Sequence, residues 1–345
     1  MQGLSGDELL TMRMDCSMMK VLKYRKGVVM NIEDIDRRDI KILAAKMYYF
    51  EGLSQQEIAK KINLSRPSVS RLLNACIKEG IVQINIDDIS SYGKELAEQI
   101  KERYALNHVI VVPQSHNVEA AKEKVGQAAA YYLESILTSG MLIGISWGTT
   151  VYNFINNIKP SSNAKCDIIE LIGGRENQTQ DTDANMMALK LAKNLNGNCY
   201  LLQAPFMVQS KVLHDLLMEE PDIKTHFERI KKTDIAIVGL GSTRPELSAQ
   251  FRSGHITIEN TKKLMEEGVV GDICGTYIDI NGNICNSALN ERMIAVSLEN
   301  LRQIPTVIGV AAGEKKAEII TGALRGKYID TLIIDERAAA GVLGL

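Results

Sequence analysis

Long apolar runs are missing from this chain. No stretch approaches the ~18 consecutive apolar residues of a membrane span, and the N-terminal region lacks the apolar core of a secretion signal. A soluble, cytoplasmic protein without a membrane partner is expected. Paired cysteines are missing as well. Cys16, Cys76, Cys166, Cys199, Cys274 and Cys285 are scattered, with no CxxC pair and no histidine at ligand spacing, which excludes a disulfide framework or a zinc site and indicates a reducing compartment. Catalytic signatures are sparse too: there is no Walker A motif and no full GxGxxG. The five histidines, His108, His116, His214, His226 and His255, fall mainly outside the loops singled out below. No metal or cofactor is expected. Asp279 and Glu291 could act as acid or base, although an exposed carboxylate after a strand is more often a turn former or a hydroxyl acceptor.

Excess positive charge is also lacking overall, at a net −2, yet the average hides a polarised distribution. Between Asp36 and Ile86, nine Lys and Arg stand against five Asp and Glu, leaving +4 there and −6 over the rest. With 345 residues and 45% hydrophobic content the chain can fill two domains. Residues 1–29 are rich in methionine and show no sustained period, as in a disordered arm or an upstream extension, with Met30 a plausible natural start.

The basic segment, residues 30–87, reads as three helices. Ile35, Ile40, Leu43, Ala44 and Met47 recur at three- to four-residue steps, so Asp36 to about Phe50 is amphipathic and stops at Gly52. Ser54 with Glu57 has capping-box spacing before Ile58, Ala59 and Ile62. A third helix opens at Ser65, with Pro67 in the first turn, where a missing N–H is harmless. Leu64 and Val69 staple its start; Val69, Leu72, Leu73, Cys76 and Ile77 form an apolar stripe opposite Ser68, Arg71, Asn74 and Lys78.

Two short helices joined by a tight turn, the second bearing small polar and Arg side chains, fit a B-DNA major groove. A plain three-helix bundle with a wet polar face is the alternative. After Gly80, Ile81 to Ile86 alternates as a wing strand does. Candidate DNA contacts are Arg66, Ser68, Ser70 and Arg71, with Gln55 and Gln56 reaching the backbone.

From residue 91 to 345, short apolar strands alternate with amphipathic helices, which indicates an α/β domain with a doubly wound, mostly parallel sheet. Expected strands include Met141–Ser146, Asp167–Leu171, Asp234–Leu240, Asp272–Asp279, Thr306–Ala311 and Thr331–Asp335. Ligands bind such sheets at the carboxyl ends of the strands. Four of those ends are alike: "SWGTT" (Ser146, Trp147, Gly148, Thr149, Thr150), "GGREN" (Gly173, Gly174, Arg175 and on), "GLGS" around Gly241, and "AGEKK" ending at Lys316. Glycines admit backbone N–H groups close to a ligand, and hydroxyls at a helix start suit phosphate oxygens. Arg175 and Lys316 add charge, so a phosphorylated or anionic small ligand is expected.

"YYFEGLSQQEIAKKINLSRPSVSRLL", "GISWGTTVY", "GDICGTYIDINGNICNSALNERMIAV" and "ALRGKYIDTLIIDERAA" together closely resemble the SorC family of bacterial sugar-responsive transcriptional regulators, in the family's order, from about Asp36 to the C-terminus. The resemblance implies a winged-helix-like helix-turn-helix domain and a larger effector and oligomerisation domain similar to glucosamine-6-phosphate deaminases, ribose-5-phosphate isomerases and CoA transferases. It implies binding to double-stranded operator DNA as a homodimer or homotetramer, and a phosphorylated sugar as effector. By the same resemblance, Ser146, Trp147, Gly148, Thr149 and Thr150 form the phosphate loop, while Gly173, Gly174, Arg175, Gly241, Arg252, Asp279 and Lys316 line the sugar-phosphate pocket. One member of the family has a lysine before the Gly-Gly pair that can form a Schiff base with an aldehyde; here that position is Ile172, which cannot, so the effector is held non-covalently. A sugar-phosphate isomerase or deaminase with an appended helical domain is the alternative. An architectural DNA-binding protein with a vestigial sheet domain is a third reading.

Overall fold

A computed structural model of the chain describes residues 37–79, 81–82, 90–160, 164–174, 184–252 and 254–345. The expected arm over residues 1–29, Arg175, and all but the first two residues of the expected wing strand lie outside the described residues. Two compact units divide the chain, Met1–Asp87 and Asp88–Leu345.

The first unit holds α1 (Arg37–Tyr49), α2 (Gln55–Lys61) and α3 (Arg66–Lys78). The Ser54 hydroxyl accepts from the Glu57 N–H at 3.3 Å while the Glu57 carboxylate accepts from the Ser54 N–H at 2.8 Å, so two otherwise orphaned donors are met at the start of α2. At α3 the Ser65 hydroxyl accepts from the Ser68 N–H at 3.3 Å, with Pro67 in the first turn. Ala44, Met47, Ile58, Ile62, Val69 and Leu73 close a small core. Ile77, expected on the apolar stripe, is 45% exposed. Cys76 takes the inward position of that turn, and the next residue is rotated outward by about 100°.

The second unit opens with α4 (Ser91–Tyr104), β1 (His108–Val112), α5 (Val118–Ile136), β2 (Leu142–Ile145), α6 (Thr149–Asn157), β3 (Asp167–Glu170) and α7 (Ala184–Asn194). It continues through β4 (Cys199–Tyr200), α8 (Lys211–Glu219), α9 (Pro221–Ile230), β5 (Ile235–Ser242), α10 (Ala249–Arg252), α11 (Ile258–Glu266), β6 (Val269–Ile273) and β7 (Thr276–Asp279). The last elements are α12 (Leu298–Leu301), β8 (Thr306–Val310), α13 (Ala317–Arg325), β9 (Thr331–Asp335) and α14 (Glu336–Leu343).

Seven strands run parallel in the order β1-β9-β8-β5-β2-β3-β4. Their apolar runs are buried on both faces: Ile235 and Ile237 of β5 join the core under α5, α6 and α7, while Ala236, Val238 and Leu240 join the core under α4, α13 and α14. This is the doubly wound arrangement. Residues 272–279, expected as one strand, form two: β6 pairs antiparallel with both β7 and the end of β5. Cys274 and Gly275 turn between them with φ of 49° and 84°, the paired positive values of a primed hairpin turn.

Candidate DNA-binding face and effector pocket

On the first unit, Arg66 and Arg71 of α3 and Gln56 of α2 are exposed, while Gln55, Ser68 and Ser70 are half-buried. The Ser68 hydroxyl lies 2.8 Å from that of Ser65, and the Arg71 Nε donates to the Pro67 carbonyl at 3.4 Å. The polar face of α3 therefore has two cations standing out beside short hydroxyls. Buried Val69 and Leu73 fix the opposite face to α1 and α2, so the polar side chains keep a set direction.

On the second unit one pocket lies at the carboxyl ends of the central strands. Ser146 to Thr150 follow β2, Ile172 follows β3, Gly239 to Gly241 close β5, and Val310 and Ala312 stand at the end of β8. Lys122 of α5, Arg252 of α10, Asp272 of β6 and Lys316 complete the polar lining, beside Gln250, Cys274 and Leu247.

The loop after β2 is built for close approach. Gly148 has φ of 147°, a left-handed value costly for any residue with a Cβ, and stands at the start of α6 without a side-chain cap. First-turn N–H groups and the positive end of the helix thus face the pocket. Ser146 is buried and its hydroxyl accepts from the Gly239 N–H at 3.0 Å, which ties the ends of β2 and β5 together. Gly241 is required by packing: a Cβ there would lie 2.1 Å from Oδ1 of Asp272. The Asp272 carboxylate crosses that glycine and accepts from the Gly275 N–H at 3.1 Å.

Lys316 donates from Nζ to the Leu240 carbonyl at 2.7 Å. Burial pushes its ammonium down to about 8; Asp272 opposes the shift, and the charges of Lys122 and Arg252 add to it. Burial, reinforced by Asp272, pushes the Cys274 thiol up, so it stays protonated. Arg252 donates to the Glu246 carbonyl at 3.2 Å and remains exposed. Three cations and one carboxylate thus line the pocket, with Lys122 also bridged to Glu119 at 2.7 Å. Among the described residues, no cluster of His, Cys, Asp or Glu could hold a metal ion.

A family model for a sugar-binding domain matches residues 92–344, and one for winged helix-turn-helix DNA-binding matches residues 51–83. The deoxyribonucleoside regulator of Bacillus subtilis is 32% identical over 312 residues, covering 90% of this chain and 99% of that one. The sorbitol operon regulator of Klebsiella pneumoniae is 29% identical over 312 residues, covering 90% and 98%. The crystal structure of full-length SorC from Klebsiella pneumoniae superposes with a TM-score of 0.77 at 27% identity, covering 90% of this chain and 100% of that one. The chain belongs to the SorC family of sugar-binding transcriptional regulators.

It is accordingly a DNA-binding regulator with a sugar-binding domain and not an enzyme, which sets aside the isomerase or deaminase alternative. Among the described residues of this SorC-family chain, no helix is long and apolar enough to cross a membrane.

Of the residues singled out in the sequence, Ser146, Trp147, Gly148, Thr149, Thr150, Gly241, Arg252 and Lys316 come together around the pocket. Three do not. Asp279 sits at the end of β7, where its carboxylate accepts from the N–H groups of Asn281 at 2.9 Å and Asn283 at 2.8 Å; it is a turn former. Burial raises its pKa, but the hydrogen bonds from Asn283, Asn281 and Gly282 outweigh that and lower it. Gly173 and Gly174 continue the edge of β3: their N–H groups donate to the Ile294 and Ala204 carbonyls, both at 2.9 Å, and a Cβ on Gly173 would strike the Pro205 carbonyl. Their backbone is spent on those neighbours. Lys122 and Asp272 were missed by sequence reasoning. Extending the strand-end rule to β1 and α5 would have found Lys122; the glycines flanking Asp272 in "GDICG" were the only local sign of the second.

Proposed function

We propose that this regulator controls a carbohydrate or nucleoside catabolic operon, and that a phosphorylated sugar held non-covalently in the pocket sets its affinity for double-stranded operator DNA. The uncapped start of α6, facing the same pocket as Lys122, Arg252 and Lys316, carries this reading. A phosphate at that helix start meets backbone donors and positive charge, while Asp272 accepts from a sugar hydroxyl. Ile172 lines the pocket with an alkyl side chain and leaves the carbonyl of an open-chain effector unmodified.

The regulator acts in the cytoplasm as a homodimer or homotetramer. Arg66, Ser68, Ser70 and Arg71 meet one half-site, and half-sites are spaced by about one DNA turn or a multiple per symmetric dimer. The effector works by binding one arrangement of the oligomer better than the other. Thermal-shift screening of a sugar-phosphate panel, followed by gel shifts of the DNA upstream of its gene with and without the stabilising compound, tests the reading. The expected result is one compound that both raises the melting temperature and changes DNA affinity. Stabilisation by no phosphorylated sugar, or stabilisation without any change in DNA binding, overturns it.

A further inference from the structure

Aspartate is among the best residues with which to start a helix, because its carboxylate accepts from a first-turn N–H. At α14 it does not do so. Asp335 stands buried at the start of that helix and caps none of its N–H groups. Its Oδ1 accepts instead from the Gly313 N–H at 2.6 Å, at the head of the turn that ends in Lys316. Glu336, the next residue, also faces away from its own helix. One of its carboxylate oxygens accepts from the Ser90 hydroxyl, and the other accepts from the Gln114 N–H at 2.9 Å.

Two of these partners lead to the pocket. Gly313 runs on to Lys316, and Gln114 runs on through the loop after β1 to Val118 and Lys122, so each carboxylate holds a segment that ends in the pocket lining. Ser90 leads elsewhere. Its hydroxyl accepts from the Gly93 N–H at 2.8 Å and so starts α4, the first described helix after the DNA-binding unit ends at Asp87. That start is closely held: a Cβ on Gly93 would stand 2.9 Å from the Val111 carbonyl oxygen, and at the far end of α4 Arg103 donates to the Leu343 carbonyl of α14 at 3.0 Å. Two adjacent acidic residues thus join both pocket segments to the place where the second unit takes over the chain from the first.

We propose that Asp335 and Glu336 are the positioning residues through which an occupied pocket acts on the start of α4, with the hydrogen bond from Ser90 to Glu336 as the last link. The inference rests on the reading that a sugar phosphate sets DNA affinity, and it names the route. An anion held by Lys122 and Lys316 bears on both segments at once. Asp335 and Glu336 pass that change to one helix start, where a difference in how firmly Ser90 is held separates the two arrangements that effector and DNA each prefer. A chain of bonds is a route only if cutting it uncouples the two sites, so coupling and not stability is the quantity to measure.

Full-length chains are titrated with the DNA upstream of their gene, with and without whichever of ribose-5-phosphate, deoxyribose-5-phosphate, glucose-6-phosphate and glucosamine-6-phosphate most stabilises wild type. The ratio of the larger to the smaller affinity is the readout, expected at about 5- to 150-fold for wild type. Ser90→Asp keeps a side-chain acceptor for the Gly93 N–H, so α4 stays capped, but it cannot donate to Glu336 and sets two carboxylates together. It brings the ratio down to about twofold or less, with sugar-phosphate affinity by calorimetry within about threefold of wild type and the melting temperature within a few degrees. Glu336→Ala does the same. Adding Glu336→Gln to Ser90→Asp restores the ratio to within about twofold of wild type, because the amide donates to the carboxylate at position 90 while its oxygen still accepts from Gln114. A capping role alone predicts neither the loss nor the rescue. An unchanged ratio in Ser90→Asp and Glu336→Ala, a loss of sugar-phosphate affinity as large as the loss of ratio, or a double variant no better than Ser90→Asp overturns the proposal. A wild type whose DNA affinity ignores every sugar phosphate sinks the regulatory reading and this one with it; a coupled wild type whose variants stay coupled sinks this one alone.

Discussion

The starts of α3 and α6 are a matched pair with opposite endings. At α3 the Ser65 side chain turns back to the first-turn N–H of Ser68, and the helix closes its own account. At α6 the corresponding place is taken by Gly148, which has no side chain to turn back. Helices α9 and α14 also start without a side-chain cap; what sets α6 apart is the left-handed glycine at its start and the three cations lining the same pocket. Helices α2, α4, α5, α8 and α11 carry side-chain caps like that of α3.

That contrast can be broken most severely at Gly148. Gly148→Asp supplies an internal carboxylate and forces a Cβ into a left-handed backbone, at about 1–3 kcal/mol of strain. We expect effector affinity by calorimetry to fall about 100-fold or more. Lys316→Met should reduce affinity by about 10- to 100-fold, the range given by the loss of one charge-assisted hydrogen bond of about 1.5–3 kcal/mol. Ser65→Ala should lower the stability of the first unit by about 1 kcal/mol in denaturant melts and leave effector affinity unchanged. If Ser65→Ala moved effector affinity as much as Gly148→Asp does, the two helix starts would not differ in kind. On the recognition helix, Arg71→Ala should relax operator preference by about 1–3 kcal/mol in competition gel shifts. An equal loss on operator and random DNA would make Arg71 a phosphate contact only.

The smallest effect is set by pH. Lys316 titrates near 8 in the empty pocket because burial disfavours its charge. Between about 8 and its ordinary value of 10.5 the unfolded chain binds more protons than the folded one, so the empty protein gains stability as pH rises through that window. Effector affinity moves the other way, weakening above about 8 as the ammonium is lost. Calorimetry in buffers of different ionisation heat should show proton uptake on binding at the midpoint, and none in Lys316→Met.

Much of this was legible in the residues. The caps at Ser54 and Ser65 are local signals, complete within four positions, and the structure forms both. Parallel strands buried on both faces announce themselves as unbroken Ile and Val runs, and their ends led to Ser146 to Thr150 and to Lys316. What failed was non-local. Asp272 and Asp279 are seven residues apart in one apolar stretch, and only the reversal at Cys274 and Gly275 decides which reaches the pocket and which caps a turn. Gly173 looked like a ligand glycine because its true reason, the Pro205 carbonyl packed against it, lies thirty-two positions away in the chain. Helix α8 went unread, for with no buried residue its period had no core to point toward.

Lys122, Arg252 and Lys316 come from three widely separated stretches of the chain. The pocket holds them as neighbours of like sign, moderated by Asp272 and, at Lys122, by the Glu119 carboxylate 2.7 Å away. A doubly charged guest would act as a clasp, fastening α5, α10 and the turn before α13 at one point. Fewer excursions would then open the sheet at its carboxyl edge, and a protease would find a saturated molecule slower to cut than an empty one.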